Sequence, residues 1–295
     1  VRHLLEVDDL SEADLAKVLG SAANRRPERV LEGRGVALIF EKPSNRTRNA
    51  FEMAVVALGG HPVVIRGEEI GLATRESVDD VTRVLARYHA IVAARVVEHA
   101  SLEGMAHVDA VPVLNLLSER SHPSQAVADL LTMHDRWGSL QGRRVAWVGD
   151  ANNVARSLVI ACSMVGVDVS VASPRGYELD EATLAGARSR GVTVEVTTDP
   201  YAAVDGADAV CTDVWVSMGQ EAEAAERVEA FRGFCVTESL MSRAAPGALF
   251  MHCLPAHRGM EVEASVIDGP RSAVWDQAEN RMHAARALCE WLVGP

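Results

Sequence analysis

This chain has no C-x-x-C pair, no apolar run near membrane-spanning length and no excess of positive charge. Its five cysteines (Cys162, Cys211, Cys235, Cys253 and Cys289) are odd in number and scattered, and a 295-residue chain has no need of disulfide staples. Reduced thiols in a cytoplasmic setting are therefore expected. The missing apolar run argues against a helical membrane span. The opening residues, VRHLLEVDDLSEADL, hold no signal-peptide core and are too acidic for a transit peptide. With a net charge of −12, non-specific binding to nucleic acid or to an anionic membrane is disfavoured. Any anion site must be local. Internal repeats, low-complexity tracts and charge blocks are also absent.

What is present is apolar content, 48% of residues, enough for two domains. Short apolar runs alternate with amphipathic stretches, the pattern of doubly wound α/β proteins with mainly parallel sheets. Helices are expected over 8–23 (Ser11 capping), 51–58, 123–137, 154–165 and 277–293. Strands are expected over 35–40, 62–65, 90–96, 111–116, 144–149, 167–172, 192–196, 209–212 and 249–253. The segment 137–142 reads as a hinge. The expected domains are 1–135 together with a C-terminal helix at 277–295, and 136–276.

The stretch FEKPSNRTRNAFEM places positive charge where a strand becomes a helix. Ser44 is a suitable N-cap, Arg46 and Thr47 fall in the first turn, and Arg48 follows. Unpaired N–H groups and the positive end of the helix dipole make this a ready anion site. Arginine there opposes the dipole, so a purely structural role explains it poorly. An ordinary capped helix with solvated arginines is the competing reading.

Other junctions carry chemistry too. His122-Pro123-Ser124-Gln125 opens a helix, where a His donor and a Gln amide could hold a carbonyl and an amine; simple capping is the alternative. Arg95 ends an apolar strand and could reach the same anion, or pair with Glu98 or another acid. Gly149-Asp150-Ala151-Asn152-Asn153 stands where a dinucleotide fold keeps G-x-G-x-x-G, and the glycines are missing. That speaks against a nicotinamide cofactor and for amide recognition, unless the asparagines only shape the turn. In Asp213-Val214-Trp215-Val216-Ser217-Met218-Gly219, Asp213 can meet an ammonium and Ser217 can add a polar contact; a plain surface loop is the alternative. In Met251-His252-Cys253-Leu254-Pro255-Ala256-His257-Arg258-Gly259, Cys253 is a possible nucleophile or a pocket wall. No metal site is expected, since structural zinc wants four ligands in recognisable pairs. Arg281, at the start of the last helix, could return to the site.

Together these motifs resemble the aspartate/ornithine carbamoyltransferase family, on its ornithine-specific side. Ser44 to Arg48 is similar to the family's S-T-R-T-R loop, His122 to Gln125 to H-P-x-Q, Asp213 to Gly219 to D-x-x-x-S-M-G, and His252 to Gly259 to H-C-L-P-A-H-R-G. The resemblance runs over nearly the whole chain, in order. It implies two α/β domains with the active site between them, the last helix packing back on the first domain, and a homotrimer or a multiple of trimers. It implies carbamoyl phosphate and L-ornithine as substrates and no cofactor. By the same resemblance Ser44, Asn45, Arg46, Thr47 and Arg48 bind the phosphate, Arg95, His122 and Thr47 polarise the carbonyl, and Gln125 orients the carbamoyl amide. Asn153 takes the carboxylate region of ornithine, and Asp213, Ser217 and Met218 its α-amino group. Cys253 and Leu254 attend the reacting amine as orienting and proton-handling groups, and Arg281 closes the site.

The sequence departs from the family pattern at Asn45 (usually threonine), at Glu69 (often glutamine) and in Asp80-Val81-Thr82-Arg83 (usually D-T-A-R). A carboxylate at Glu69 repels carbamoyl phosphate unless it is protonated, paired or turned away. Rival readings are carbamoyl transfer to aspartate, putrescine, lysine or an N-acylated ornithine, a nicotinamide-dependent dehydrogenase, and a non-catalytic sensor that kept the fold. The S-M-G and H-C-L-P motifs disfavour aspartate. Putrescine has nothing for Asp213 and Ser217 to hold.

Overall fold

The short apolar runs become parallel strands, and the amphipathic stretches become the helices that cover them. The structure is a computed structural model and describes residues 1–72, 74–217 and 220–294. The chain divides into two compact units, one of Val1–Leu131 with Glu279–Pro295 and one of Thr132–Ala278.

In the first unit β1 (His3–Leu4), β2 (Gly35–Phe40), β3 (His61–Arg66), β4 (His89–Arg95) and β5 (Val113–Leu117) form a sheet of order β1-β5-β4-β2-β3. Every pairing in it is parallel. The helices are α1 (Glu12–Ala23), α2 (Arg46–Ala57), α3 (Gly67–Ile70), α4 (Val78–Leu85), α5 (His99–Val108) and α6 (Pro123–Trp137). The central strands are buried along nearly their whole length, as strands covered on both faces must be. β3, at the sheet edge, stays half exposed. From β2 the chain steps outward to β3, then crosses to β4 on the other side of β2. The order therefore reverses between β2 and β4, and Phe40 and Arg95 lie level in register at their carboxyl ends.

In the second unit β6 (Arg144–Val148), β7 (Asp168–Ala172), β8 (Val194–Thr197), β9 (Ala209–Thr212) and β10 (Leu249–His252) form a parallel sheet of order β10-β9-β6-β7-β8. Its helices are α7 (Asn153–Met164), α8 (Glu181–Ser189), α9 (Pro200–Val204), α10 (Ala224–Ala230), α11 (Glu238–Met241) and α12 (Ala264–Ile267). Here the order reverses between β6 and β9. Trp215, Phe231, Phe234 and Phe250 fill the core on one face.

The long helix α13 (Val274–Val293) begins earlier than the expected 277. Its later turns belong to the first unit, as the resemblance implies. Arg286 donates to the Ser21 carbonyl of α1 at 2.6 Å, and Arg25 donates to Asn280 at 3.1 Å. At the other end of the chain α1 starts at Glu12 rather than Asp8. Ser11 Oγ accepts the Asp14 N–H at 3.1 Å, while Asp9 turns back to accept the Leu5 and Glu6 N–H groups.

Phe250 is fully buried in the second unit. Phe250→Ala is expected to cost ~3–5 kcal/mol through lost transfer energy and a cavity, seen as a lower urea midpoint. Val84→Ala, at an exposed position on α4, should stay within ~0.5 kcal/mol of the parent in the same measurement.

Candidate active-site groups of the two units

In the first unit the reversal point carries the positive charge foreseen from the sequence. α2 starts at Arg46 with Asn45 as N-cap, one residue later than expected. Ser44 is not the cap, because its hydroxyl accepts from Arg95 Nη1 at 3.2 Å, across from β2 to β4. Asn45 makes no side-chain cap either; Asn49 Nδ2 donates to its Oδ1 at 3.0 Å. The Asn45 side chain therefore does not cap the first turn of α2. Thr47 is buried, and its hydroxyl accepts from Arg281 Nη2. Arg46 Nε is buried without a hydrogen-bond partner among the described residues. Arg48 turns away along the helix surface to Glu52, at 2.8 Å.

His122 sits just ahead of α6 and is 4% exposed. Burial holds its imidazole well below the ordinary pKa of 6.5, and the Arg281 and Arg95 guanidinium groups push it the same way. It is therefore a neutral imidazole flanked by two cations. Gln125 is fully buried on the first turn of α6. Structure thus gathers Ser44, Thr47, Arg95, His122 and Arg281 in one place. Glu98 is the N-cap of α5, and among the described residues it makes no ion pair with Arg95, whose Nη1 donates to Ser44. Glu69 is also accounted for. Its Oε2 accepts the Arg66 N–H at 2.8 Å, closing the start of α3.

In the second unit the junctions after β6, β9 and β10 supply the polar groups. Gly149 takes φ 127°, a conformation a side chain would strain, and a Cβ there would lie 3.2 Å from Thr212 Oγ1. Asn152 caps α7 by accepting the Val154 and Ala155 N–H groups at 2.9 and 3.2 Å. Its Nδ2 donates to Asp213 Oδ2 at 2.9 Å. Asp213 is buried and its Oδ1 also accepts from the Val214 N–H at 2.8 Å and from Cys253 Sγ at 3.1 Å. So Asn152 both shapes the helix start and orients the acid. Asn153 is the first residue of α7. The Ser217 N–H donates to Gln220 Oε1 at 3.0 Å. Met218 and Gly219 lie outside the described residues.

Cys253 and Leu254 are placed by a buried histidine. His252 Nδ1 accepts the Leu254 N–H at 2.9 Å, so its proton is on Nε2, 3.2 Å from Glu261 Oε1. Leu254 adopts a left-handed φ of 59° within this turn. Ligand atoms of Asp213, His252 and Cys253 lie within 4.8 Å of one another. His252 is engaged at both nitrogens, by the Leu254 N–H and by Glu261, and the Cys253 thiol donates to Asp213.

Comparison with known proteins decides the family. Residues 2–135 match the family model described as aspartate/ornithine carbamoyltransferase, carbamoyl-P binding domain, and residues 141–292 match its Asp/Orn binding domain. The chain belongs to the aspartate/ornithine carbamoyltransferase family. It is 48% identical to an ornithine carbamoyltransferase of Acidothermus cellulolyticus, over 99% of this chain and 97% of the relative. It is 49% identical to an anabolic ornithine carbamoyltransferase of Pyrococcus furiosus, over 99% and 96% of the two chains. The solved structure of the Pyrococcus furiosus ornithine carbamoyltransferase superposes with a TM-score of 0.95 at 46% identity, covering 99% of this chain and 97% of that one.

Sequence reading of this carbamoyltransferase chain missed an ion pair beside its second-unit groups. Arg227 of α10 is buried, donates from Nε to the Trp215 carbonyl at 2.6 Å and from Nη2 to Asp150, and lies 4.8 Å over the Tyr177 ring. Burial pushes the Asp150 carboxyl up to about 6; Arg227 opposes this only in part, and Asp213 adds to it. Arg227 so anchors the start of the segment that follows Asp213. Nothing in the AAERVEA helix separates this arginine from a solvated one. Arg227→Met is expected to destabilise the protein by ~3–5 kcal/mol near pH 8, because it strands a buried carboxylate. The loss should shrink at pH 5, where Asp150 can take up a proton instead; urea titrations at the two pH values check both statements.

Proposed function

We propose that this chain transfers the carbamoyl group of carbamoyl phosphate to the side-chain amine of L-ornithine, giving L-citrulline and phosphate. Ornithine rather than another amine fits Asp213, whose buried carboxylate is oriented by Asn152 and suits an α-ammonium group. The carrying observation is the buried His122 with the Arg95 and Arg281 cations near it, beside a helix start that its N-cap residue Asn45 leaves uncapped. This arrangement suits a phosphate and a carbonyl oxygen gaining negative charge at once.

In this reading Ser44, Asn45, Arg46 and Thr47 hold the phosphate with side-chain and backbone donors. Arg48 joins them only by leaving Glu52. Arg95, His122 and Thr47 polarise the carbonyl. A neutral imidazole donates a hydrogen bond without adding a proton to the reaction. Gln125 meets the carbamoyl amide. Asn153, Asp213, Ser217 and Met218 take the carboxylate and α-ammonium ends of ornithine. Cys253 and Leu254 attend the reacting amine, with Cys253 orienting and passing a proton through Asp213 rather than forming a covalent bond. The neutral amine attacks the carbonyl carbon, charge collects on the carbonyl oxygen, the C–O bond to phosphate breaks, and the amine proton is lost. Carbamoyl phosphate is already activated, so positioning and prearranged electrostatics suffice, and no cofactor enters the reading.

A homotrimer or a multiple of trimers accompanies it. The half-exposed edge strand β3 and the exposed Met53 and Val56 on α2 support self-association. Five free thiols fit a reducing cytoplasm, and none of the described helices is long and apolar enough to cross a membrane. Kinship with an anabolic relative favours a place in arginine synthesis.

The test is citrulline formation from carbamoyl phosphate and L-ornithine, with putrescine, lysine and aspartate in parallel. Ornithine should be the preferred acceptor; transfer to another amine sinks the second-unit assignment, and no transfer from folded protein leaves the sensor reading. The rate should climb towards alkaline pH as the amine deprotonates, with no limb near 6.5 from His122, which stays neutral. Sedimentation should show trimers or their multiples, and a monomer would remove that part of the reading.

A further inference from the structure

Gln125 and Asp129 stand one turn apart on α6, both buried, at 0% and 3% exposure. Gln125 Nε2 donates to Asp129 Oδ1 at 2.7 Å. This orientation follows from chemistry, because a carboxylate offers only lone pairs and so must face the NH2 end of the amide. Gln125 Oε1 is then turned the other way, and it is buried with no hydrogen-bond partner among the described residues. Unpaired buried acceptors are uncommon and call for a reason. The Gln125 backbone N–H donates to the His122 backbone carbonyl at 3.0 Å, so the two residues share the first turn of α6.

We propose that Asp129 is a positioning residue that locks the Gln125 amide with its oxygen toward the carbamoyl group, and so selects a substrate that carries N–H donors there. This rests on the carbamoyl phosphate reading above. A fixed carbonyl oxygen accepts from the carbamoyl NH2. It finds no donor in the methyl group of acetyl phosphate, and inorganic phosphate has no carbamoyl group to meet it. Without Asp129 the amide can turn over and present its own NH2, which favours oxygen instead. Asp129 touches no substrate; it sets the polarity of the residue that does.

The experiment compares wild type, Asp129→Asn, Gln125→Ala and the double variant. An asparagine at 129 can meet either end of the Gln125 amide, so the lock is lost with little change in volume. Asp129→Asn is expected to raise the KM for carbamoyl phosphate about tenfold, the scale of one lost hydrogen bond, while competitive inhibition by inorganic phosphate stays within about twofold. In the Gln125→Ala background the same change at 129 should have no further effect on carbamoyl phosphate, since the two residues act as one unit. Asp129→Ser gives the same comparison should the asparagine variant fold poorly, with thermal melting as the check. Equal weakening of carbamoyl phosphate and inorganic phosphate, or an undiminished effect in the Gln125→Ala background, marks a structural role and overturns the inference. So does an Asp129→Asn enzyme with an unchanged KM. If wild type does not bind carbamoyl phosphate at all, the functional reading fails and takes this one with it.

Discussion

Each parallel sheet in this chain reverses its strand order once, and the polar groups depend on where that happens. Between β2 and β4, and again between β6 and β9, neighbouring strands send their following loops to opposite faces of the sheet. A crevice must open there, beyond the carboxyl ends of the strands. In the first unit it is bordered by Ser44 and Arg95, which hydrogen bond across it. In the second it is bordered by Asn152 and Asp213, which do the same. The side chains could not have been placed this way by local sequence alone. The topology brings residues 51 and 61 positions apart in the chain to hydrogen-bonding distance.

The two crevices have opposite electrostatic character. The first collects guanidinium groups around a histidine that burial and those same cations keep neutral. The second holds a buried carboxylate fixed by an asparagine, a backbone N–H and a thiol. Desolvation makes each arrangement expensive in the empty protein and strengthens its attraction for a ligand of opposite charge. A net charge of −12 is no obstacle to an anion site built this way, because the field at a buried site is set by near neighbours while distant surface charges are screened.

Much of this was legible in the sequence, and what was not has physical causes. Apolar runs bounded by turns identified the central strands, and Pro123 to Trp137 was readable as a helix to the residue. Ser11 was readable as a cap because its hydroxyl has a local partner. Ser44 misled for the converse reason: its partner, Arg95, is remote in sequence and near only in the folded sheet. β1, with two residues, and the four-residue helices are too short for any periodicity to show. The candidate site residues at strand-to-helix junctions stood out because junction chemistry is local. Arg227, Asp129 and Glu261 were missed because each acts through another side chain rather than on a junction of its own.

Glu69 shows how a departure from the family pattern can be absorbed by the fold. A carboxylate where relatives often have an amide threatens an anion site only if it is free to face it. Here its oxygen accepts the Arg66 N–H, one of the donors that the start of a helix leaves unpaired, and its charge sits favourably at the positive end of α3. Freeing this carboxylate costs that hydrogen bond, so the least costly place for the charge is on its own backbone. Asp80 in the next helix follows similar logic from the other side. It supplies its N–H to Ser77 Oγ at 3.1 Å while Asp79 pairs with Arg83, so the altered D-V-T-R segment is closed by its own cap and its own ion pair. Only Glu69 brings a new charge; the altered positions of D-V-T-R are Val81 and Thr82, both buried, and the Thr82 hydroxyl donates to the Val78 carbonyl at 2.7 Å.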